Sequence, residues 1–233
     1  MMDPDHLQIL QRYSSCDVAD ALLDLGVPEG GFLPGLVMWS PRQQDGHTRI
    51  AGPVWTVEYV RVGKEKQAAT DQQPLTPAGH YVDSAPSGSI IFVSCPEDTL
   101  SACWGGLVTK RAKRLGVIGT VVDGRMRDLD EARHLDYPVF ARQVAVARPT
   151  DDLKVHKVNQ PVIFHDGHGA RTIQPGDVIV ADLNGTVLLP AQLLRATIQR
   201  LKKLSDVEEV KMRLLDQGIS LTEASANAST QVA

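Results

Sequence analysis

Ser89-Ile-Ile-Phe-Val-Ser94, Val117-Ile-Gly-Thr-Val-Val122 and Pro138-Val-Phe-Ala141 are short apolar runs, and what lies between them decides the fold. Each has the length and the β-branched or aromatic content of a buried strand. Between the first and second, residues from about Gly106 to Leu115 follow a helical pattern that Gly116 closes. Between the second and third, Asp123-Gly124 reads as a turn and Asp128 to Leu135 as a short helix. Strand, helix, strand, helix, strand at these lengths predicts right-handed crossovers and a parallel sheet.

Working outward, Val54 to Arg61 reads as a further strand, while Lys64 to Ala85, with Pro74 and Pro77, is left without an assigned structure. Two helices are predicted before it, Pro4 to Tyr13 and Asp17 to Leu25, the second stopped by Gly26 and Pro28. A long connection through Gly30-Gly31, Pro34-Gly35 and Ser40 to His47 follows. After Arg148 the style changes: Pro161 to Phe164, Val178 to Ala181 and Thr186 to Leu189 read as antiparallel hairpin strands, with a tight turn at Asn184-Gly185. Pro190 to Gly218 reads as one amphipathic helix with Leu194, Ile198, Leu201, Leu204 and Val207 on a stripe. The expectation is a single α/β domain over residues 1–220. It has a parallel βαβ core, antiparallel hairpins and helical ends, followed by a frayed tail over 221–233.

The bulk composition narrows the function classes. The chain has 233 residues, 42% hydrophobic and 22% charged, enough for one substantial core. A net charge of -4 argues against a general nucleic-acid or membrane-surface binder, since both partners are anionic. No apolar run approaches a membrane span, and Met1 to His6 lacks the marks of a secretory leader, so the cytoplasm is the expected location. Cys16, Cys95 and Cys103 have no C-x-x-C spacing and read as reduced thiols.

Two segments could carry chemistry. Trp104-Gly105-Gly106-Leu107-Val108 opens a helix after a buried strand, where free N–H groups and the helix dipole favour an anion. The same glycines also suit a tight turn that only permits packing. One strand later comes Asp123-Gly124-Arg125-Met126-Arg127-Asp128. In an open parallel sheet both segments lie outside the carboxyl ends of neighbouring strands, where ligands gather. Arg127 could grip a carboxylate or enolate, and Asp128 a hard divalent ion. The alternative is a surface pair with Asp128 as a helix cap. His165-Asp166-Gly167-His168 fits a hairpin turn better than a metal site. Lys110, Arg111, Lys113 and Arg114 fit a solvated helix face, and Asp17 and Asp20 fit helix-start charges.

These residues resemble the RraA-like family, which includes the 4-hydroxy-4-methyl-2-oxoglutarate aldolases. The resemblance rests on Trp104-Gly-Gly-Leu-Val-Thr, Gly116-Val-Ile-Gly-Thr-Val-Val-Asp-Gly, Arg127-Asp128-Leu-Asp-Glu and Pro138-Val-Phe-Ala. It is supported by Ser15-Cys-Asp-Val-Ala-Asp-Ala-Leu, Ile50-Ala-Gly-Pro-Val-Trp-Thr-Val and Pro175-Gly-Asp-Val-Ile-Val-Ala-Asp. It runs from Tyr13 to Leu204, and the N-terminal half is most similar to fungal members.

The resemblance implies a layered β/β/α domain that assembles as a homotrimer or hexamer. It also implies a class II aldolase of 4-hydroxy-2-keto diacids that uses Mg²⁺ or Mn²⁺, with oxaloacetate decarboxylation through the same enolate. Gly105, Gly106, Leu107 and Val108 would then bind the carboxylate of a small 2-keto acid. Arg127 would bind the keto oxygen, and Asp128 would anchor the metal. Several aldolases of the family carry an acid where this chain has Gly106. Glu208 or Glu209 of a neighbouring subunit would be a substitute. The rival expectation is a non-catalytic RraA-like regulator that binds a ribonuclease or another protein. A third is an enzyme of specialised metabolism acting on another keto acid.

Overall fold

In a computed structural model, which describes residues 4–61, 79–149, 153–167 and 169–231, the apolar runs become the middle of a mixed sheet. The strands are β1 (Val37–Ser40), β2 (Ile50–Arg61), β3 (Ile90–Ser94), β4 (Gly119–Met126), β5 (Val139–Val144), β6 (Leu153–Val158), β7 (Val162–His165), β8 (Ala170–Ile173), β9 (Val178–Asp182) and β10 (Gly185–Leu189). The helices are α1 (Pro4–Leu10), α2 (Ser15–Asp24), α3 (Gly106–Arg114), α4 (Leu129–His134), α5 (Leu194–Asp216) and α6 (Leu221–Gln231). Sheet order is β1-β5-β4-β3-β2-β9-β10, with β6 also on β2, and β2 to β5 run parallel as the crossovers require. The edges β1 and β10 approach each other, so the sheet is nearly closed.

Alternation along each strand sorts the core into layers. Ile91, Val93, Val122, Val139 and Ala141 face α3 and α4, together with Ala112 and Ala132. Their neighbours Ile90, Phe92, Val121 and Phe140 face the other way, against Val162, Phe164 and Ile173 of the β7–β8 hairpin. Phe92 and Phe164 meet edge to face, with ring centroids 6.4 Å apart. This gives the β/β/α layering. A further cluster packs α1, α2 and α5 on β9 and β10 through Leu10, Val18, Leu22, Ile198 and Leu201.

Several expectations are corrected. Asp123-Gly124 is not a turn: β4 runs through it to Met126. The long connection contains β1, paired with β5, and β6 and β8 are strands that polar residues conceal. Cys95 and Cys103 are joined to each other rather than reduced, and Cys16 alone is free. Residues 221–231 form α6, which buries Ala224 and Ala228 where fraying was expected; 232–233 lie outside the described residues. The unassigned stretch falls mostly outside them as well, and its end forms a short 3₁₀ turn, Tyr81–Ser84. Among the described residues no helix is long and apolar enough to cross a membrane.

Asp182 ties the N-terminal helices to the sheet. Its carboxylate accepts the Ser15 N–H at 2.8 Å, the Ser15 hydroxyl at 2.7 Å and the Asn184 N–H at 2.9 Å. Burial pushes its pKa up, but these hydrogen bonds and the Arg49 charge outweigh that and hold it below the ordinary 3.8. Asp182→Ala leaves the Ser15 donors unmatched and should cost about 2–4 kcal/mol in urea unfolding. The carboxylate's contribution is complete at neutral pH and is lost as pH falls below 3.8 toward the depressed folded value. The gap between wild type and variant should therefore close on acidification, and a gap that stays constant to low pH would refute the linkage.

Asp123 behaves in the opposite sense. Glu58, Ser94 and Asp123 stand in one row across β2, β3 and β4. Burial raises the Asp123 carboxyl to about 6 against the pull of its ion pair with Arg142. Ionising it in the fold is unfavourable, so stability falls as pH rises from 3.8 through about 6. The ¹³C carboxyl resonance of Asp123 should titrate near 6, and Arg142→Gln should move the midpoint higher still. An unshifted carboxylate midpoint would overturn the assignment.

Candidate functional site

The extension of β4 past Val122 builds the site. The Cys103 N–H donates to the Arg125 carbonyl at 2.8 Å, and the Arg127 N–H to the Trp104 carbonyl at 2.9 Å. Trp104 thereby pairs with Met126 as a parallel bridge, so the segment entering α3 runs beside the end of β4. Gly124 leaves room for Cys95 at the end of β3, since a Cβ there would lie 2.9 Å from Cys95 Cβ. Trp104 is buried, and its indole N–H donates to Thr109 Oγ1 at 2.8 Å. The Thr109 hydroxyl donates in turn to the Gly105 carbonyl at 2.9 Å, which locks the glycines onto the first turn of α3.

Arg127-Asp128 and Gly105-Gly106 therefore meet. The Gly106 N–H donates to Asp128 Oδ2 at 2.8 Å, and Arg127 Nε lies 3.3 Å from the same oxygen. Asp128 holds the N-cap position of α4 in a left-handed conformation (φ 58°, ψ 47°), yet its side chain does not cap α4. The carboxylate serves the start of α3 instead. A non-glycine residue there carries strain of about 1–3 kcal/mol, which persists only where its surroundings impose it. The Leu107 and Val108 N–H groups follow Gly106 in the first turn, where no intrahelical carbonyl can reach them.

These residues wall a cavity of about 230 Å³, together with Tyr59, His80, Tyr81 and Pro149. The side chains of Arg127 and Asp128 are 36% and 31% exposed, so both reach its solvent. Sequence reasoning missed the aromatic wall. Tyr59 and Tyr81 come from separate elements, and His80 and Tyr81 lie in the stretch that had no assignment. The phenols meet at 3.5 Å, and burial raises both above the ordinary tyrosine range, so they stay neutral donors.

The other candidates stay apart. His165 and Asp166 form the β7–β8 turn, with the Gly169 N–H donating to Asp166 Oδ1 at 2.6 Å; His168 lies outside the described residues. Asp17 completes a capping box with Ser14 at the start of α2. The basic side chains of α3 are exposed, with Arg111 Nε 2.5 Å from Asp83. Glu208 and Glu209 lie on α5, and Glu208 faces a groove with Cys16 and Asp20 rather than the Arg127 cavity.

For a metal, the side-chain donors lining the cavity are the Asp128 carboxylate, the His80 imidazole and the Tyr59 and Tyr81 phenols. Among the described residues no three His, Cys, Asp or Glu side chains gather. Asp128 offers Oδ1, its Oδ2 being taken, and Glu131 stands over Gly106. One carboxylate with no further ligand cluster around it suits a hydrated Mg²⁺ or Mn²⁺, which keeps much of its water, better than a closed four-ligand zinc cage.

Comparison with known proteins agrees with this architecture. A Legionella pneumophila protein, DlpA, is 30% identical over 223 residues, covering 95% of this chain but 33% of its own length. A Halalkalibacterium halodurans protein named "Putative 4-hydroxy-4-methyl-2-oxoglutarate aldolase" is 29% identical over 140 residues, 60% of this chain and 64% of that protein. The chain thus spans between a third and two thirds of these relatives' lengths. Among solved structures, an uncharacterized Pseudomonas syringae protein superposes with a TM-score of 0.82 at 28% identity, over 97% of this chain and 95% of that one. Streptomyces coelicolor RraAS2, described as an unusual member of the RNase ES inhibitor RraA family, shares the fold: TM-score 0.76, 23% identity, 91% and 100% coverage. The RraA-like (Aldolase/RraA) sequence pattern matches residues 15–188, from the start of α2 to the last hairpin, and the chain belongs to that family.

Proposed function

We propose that this chain is a divalent-metal-dependent carbon–carbon lyase acting on small 4-hydroxy-2-keto diacids, such as 4-hydroxy-4-methyl-2-oxoglutarate, to release pyruvate. The observation that carries the reading is the convergence of Arg127, Asp128 and the start of α3 on one cavity at the ends of parallel strands. At about 230 Å³ that cavity is smaller than the roughly 300–1,000 Å³ of drug-sized sites, which suits a small acid.

Each group has a task. The free N–H groups of Leu107 and Val108, at the positive end of α3, receive the substrate carboxylate. Arg127, its Nε beside Asp128, has its terminal nitrogens left to fork onto the keto oxygen. Cleavage breaks the C3–C4 bond; its electron pair forms the enolate while the 4-hydroxyl gives its proton to a water in the cavity, which later returns one to C3, and C4 becomes a carbonyl. Negative charge gathers on the keto oxygen, where a fixed guanidinium helps most. Asp128 would hold the Mg²⁺ or Mn²⁺, which supplies Lewis-acid polarisation of that keto group when bound. The buried phenols and Trp104 limit water at the enolate, and protonation at C3 gives pyruvate. Oxaloacetate reaches the same enolate by losing carbon dioxide.

A second reading, a non-catalytic regulator that binds another protein, draws on the apolar surface of the chain: Leu100, Leu107 and Val146 are 78%, 85% and 93% exposed. The same residues suit a contact within a homotrimer or hexamer.

Pyruvate release from 4-hydroxy-4-methyl-2-oxoglutarate and from oxaloacetate, followed with Mg²⁺, with Mn²⁺ and with EDTA, separates the readings. Metal-dependent release is expected from the enzyme; no release together with no metal binding favours the regulator. Arg127→Ala should lower kcat by about 10²–10³-fold while the melting temperature stays near wild type. Asp128→Asn should raise the metal concentration needed for half activity. Unchanged turnover in the arginine variant would remove Arg127 from the reaction.

A further inference from the structure

A 2-keto diacid carries two carboxylates, and the start of α3 receives one of them. Among the described residues that line the cavity, Arg127 is the single guanidinium or ammonium group. Its terminal nitrogens are taken by the keto oxygen in the proposed reaction. Asp128 is an anion and repels a distal carboxylate that has no donor of its own. The Tyr59 and Tyr81 phenols are turned to one another, hydroxyl to hydroxyl at 3.5 Å. In a space of about 230 Å³, the far end of an acid gripped by Arg127 comes up against the remaining wall.

His80 stands in that wall, and its ring is fixed in two ways. Nδ1 accepts the Val82 N–H at 3.3 Å, as the N-cap of the 3₁₀ turn Tyr81–Ser84. The imidazole also lies against the buried Tyr81 ring, with centroids 4.5 Å apart and planes 31° apart. With Nδ1 committed as an acceptor, the neutral ring carries its proton on Nε2. That nitrogen is the one farther from the backbone, and the residue is exposed.

We propose that His80 selects diacids: its Nε2–H donates to the distal carboxylate of a 2-keto acid whose other end is held by α3 and Arg127. The inference rests on the 2-keto acid reading of the cavity and adds to it a specificity-determining residue. An acid with a methyl group in place of the distal carboxylate offers the imidazole nothing to bind.

The test is calorimetric titration of the intact protein, with Mg²⁺ present, against 2-oxoglutarate and 2-oxopentanoate. These share one 2-keto carbon chain and differ in the distal carboxylate; neither has the 4-hydroxyl that cleavage needs. The wild-type protein should bind the diacid more tightly. His80→Asn keeps an acceptor for the Val82 N–H but ends short of Nε2, and His80→Phe keeps a ring against Tyr81. Both should weaken 2-oxoglutarate about 10–100-fold, the value of a hydrogen bond to a charged group, and leave 2-oxopentanoate unchanged. Thermal unfolding checks that each variant folds. Full diacid affinity in His80→Asn, or an equal loss for both acids, overturns the role of His80. So does a wild-type protein that binds the two acids equally or binds neither. Pyruvate release from 4-hydroxy-4-methyl-2-oxoglutarate, measured on the same protein, decides separately whether the lyase reading stands.

Discussion

The site depends on one short ladder, in which the segment entering α3 pairs with the end of β4. Two backbone hydrogen bonds, Cys103 to Arg125 and Arg127 to Trp104, set the height of Gly105-Gly106 against Arg127-Asp128. Such bonds contribute about 0.5–1.5 kcal/mol each to stability, but their geometric role is larger. Pairing of Arg125 and Met126 with β5 carries β4 past Val122, and these two bonds then bring Gly105-Gly106 beside Arg127-Asp128. Gly124 leaves room for Cys95, and the Cys95–Cys103 link closes the loop that leaves β3 and returns to α3.

Charge at this junction is balanced across short distances. The dipole end of α3 and the Arg127 guanidinium are positive; Asp128 and Glu131 are negative. The Asp128 carboxylate takes both the Gly106 N–H and the Arg127 contact on one oxygen, which leaves the other for a ligand. An arrangement with both signs in a cavity of about 230 Å³ suits a pair of oppositely charged occupants, an anionic acid and a cation, better than either alone. The strained backbone of Asp128 makes sense in this setting, since only a left-handed residue there aims the carboxylate at α3 rather than at its own helix.

Membership of the RraA-like family fixes the scaffold and leaves the chemistry to the site. The same layered sheet is shared with a protein described by its relation to a ribonuclease inhibitor family, and sequence similarity extends to one named as an aldolase. The proposed chemistry rests on the groups gathered at the α3–β4 junction. Here those groups include a guanidinium, the Asp128 carboxylate and an aromatic wall of Tyr59, His80 and Tyr81.

The sequence by itself determined the parallel centre of the sheet, because β3, α3, β4, α4 and β5 are local patterns: apolar runs, a helical period, and glycines at the turns. It also marked Arg127, Asp128 and the Gly105–Val108 segment, since residues just after parallel strands share one sheet edge. The tertiary structure alone decided what could not be local. The β1 and β6 strands are stabilised by pairing with β5 and β2 rather than by their own composition, and α6 by burying two alanines. Asp123-Gly124 carries turn chemistry, yet pairing with β3 at Asp123 and with β5 again from Arg125 carries the strand through it as a local irregularity. Tyr59 and Tyr81 reach the cavity from separate elements, so spacing along the chain held no sign of them. That the Gly106 N–H meets the Asp128 carboxylate is likewise invisible until the fold sets the start of α3 beside the end of β4.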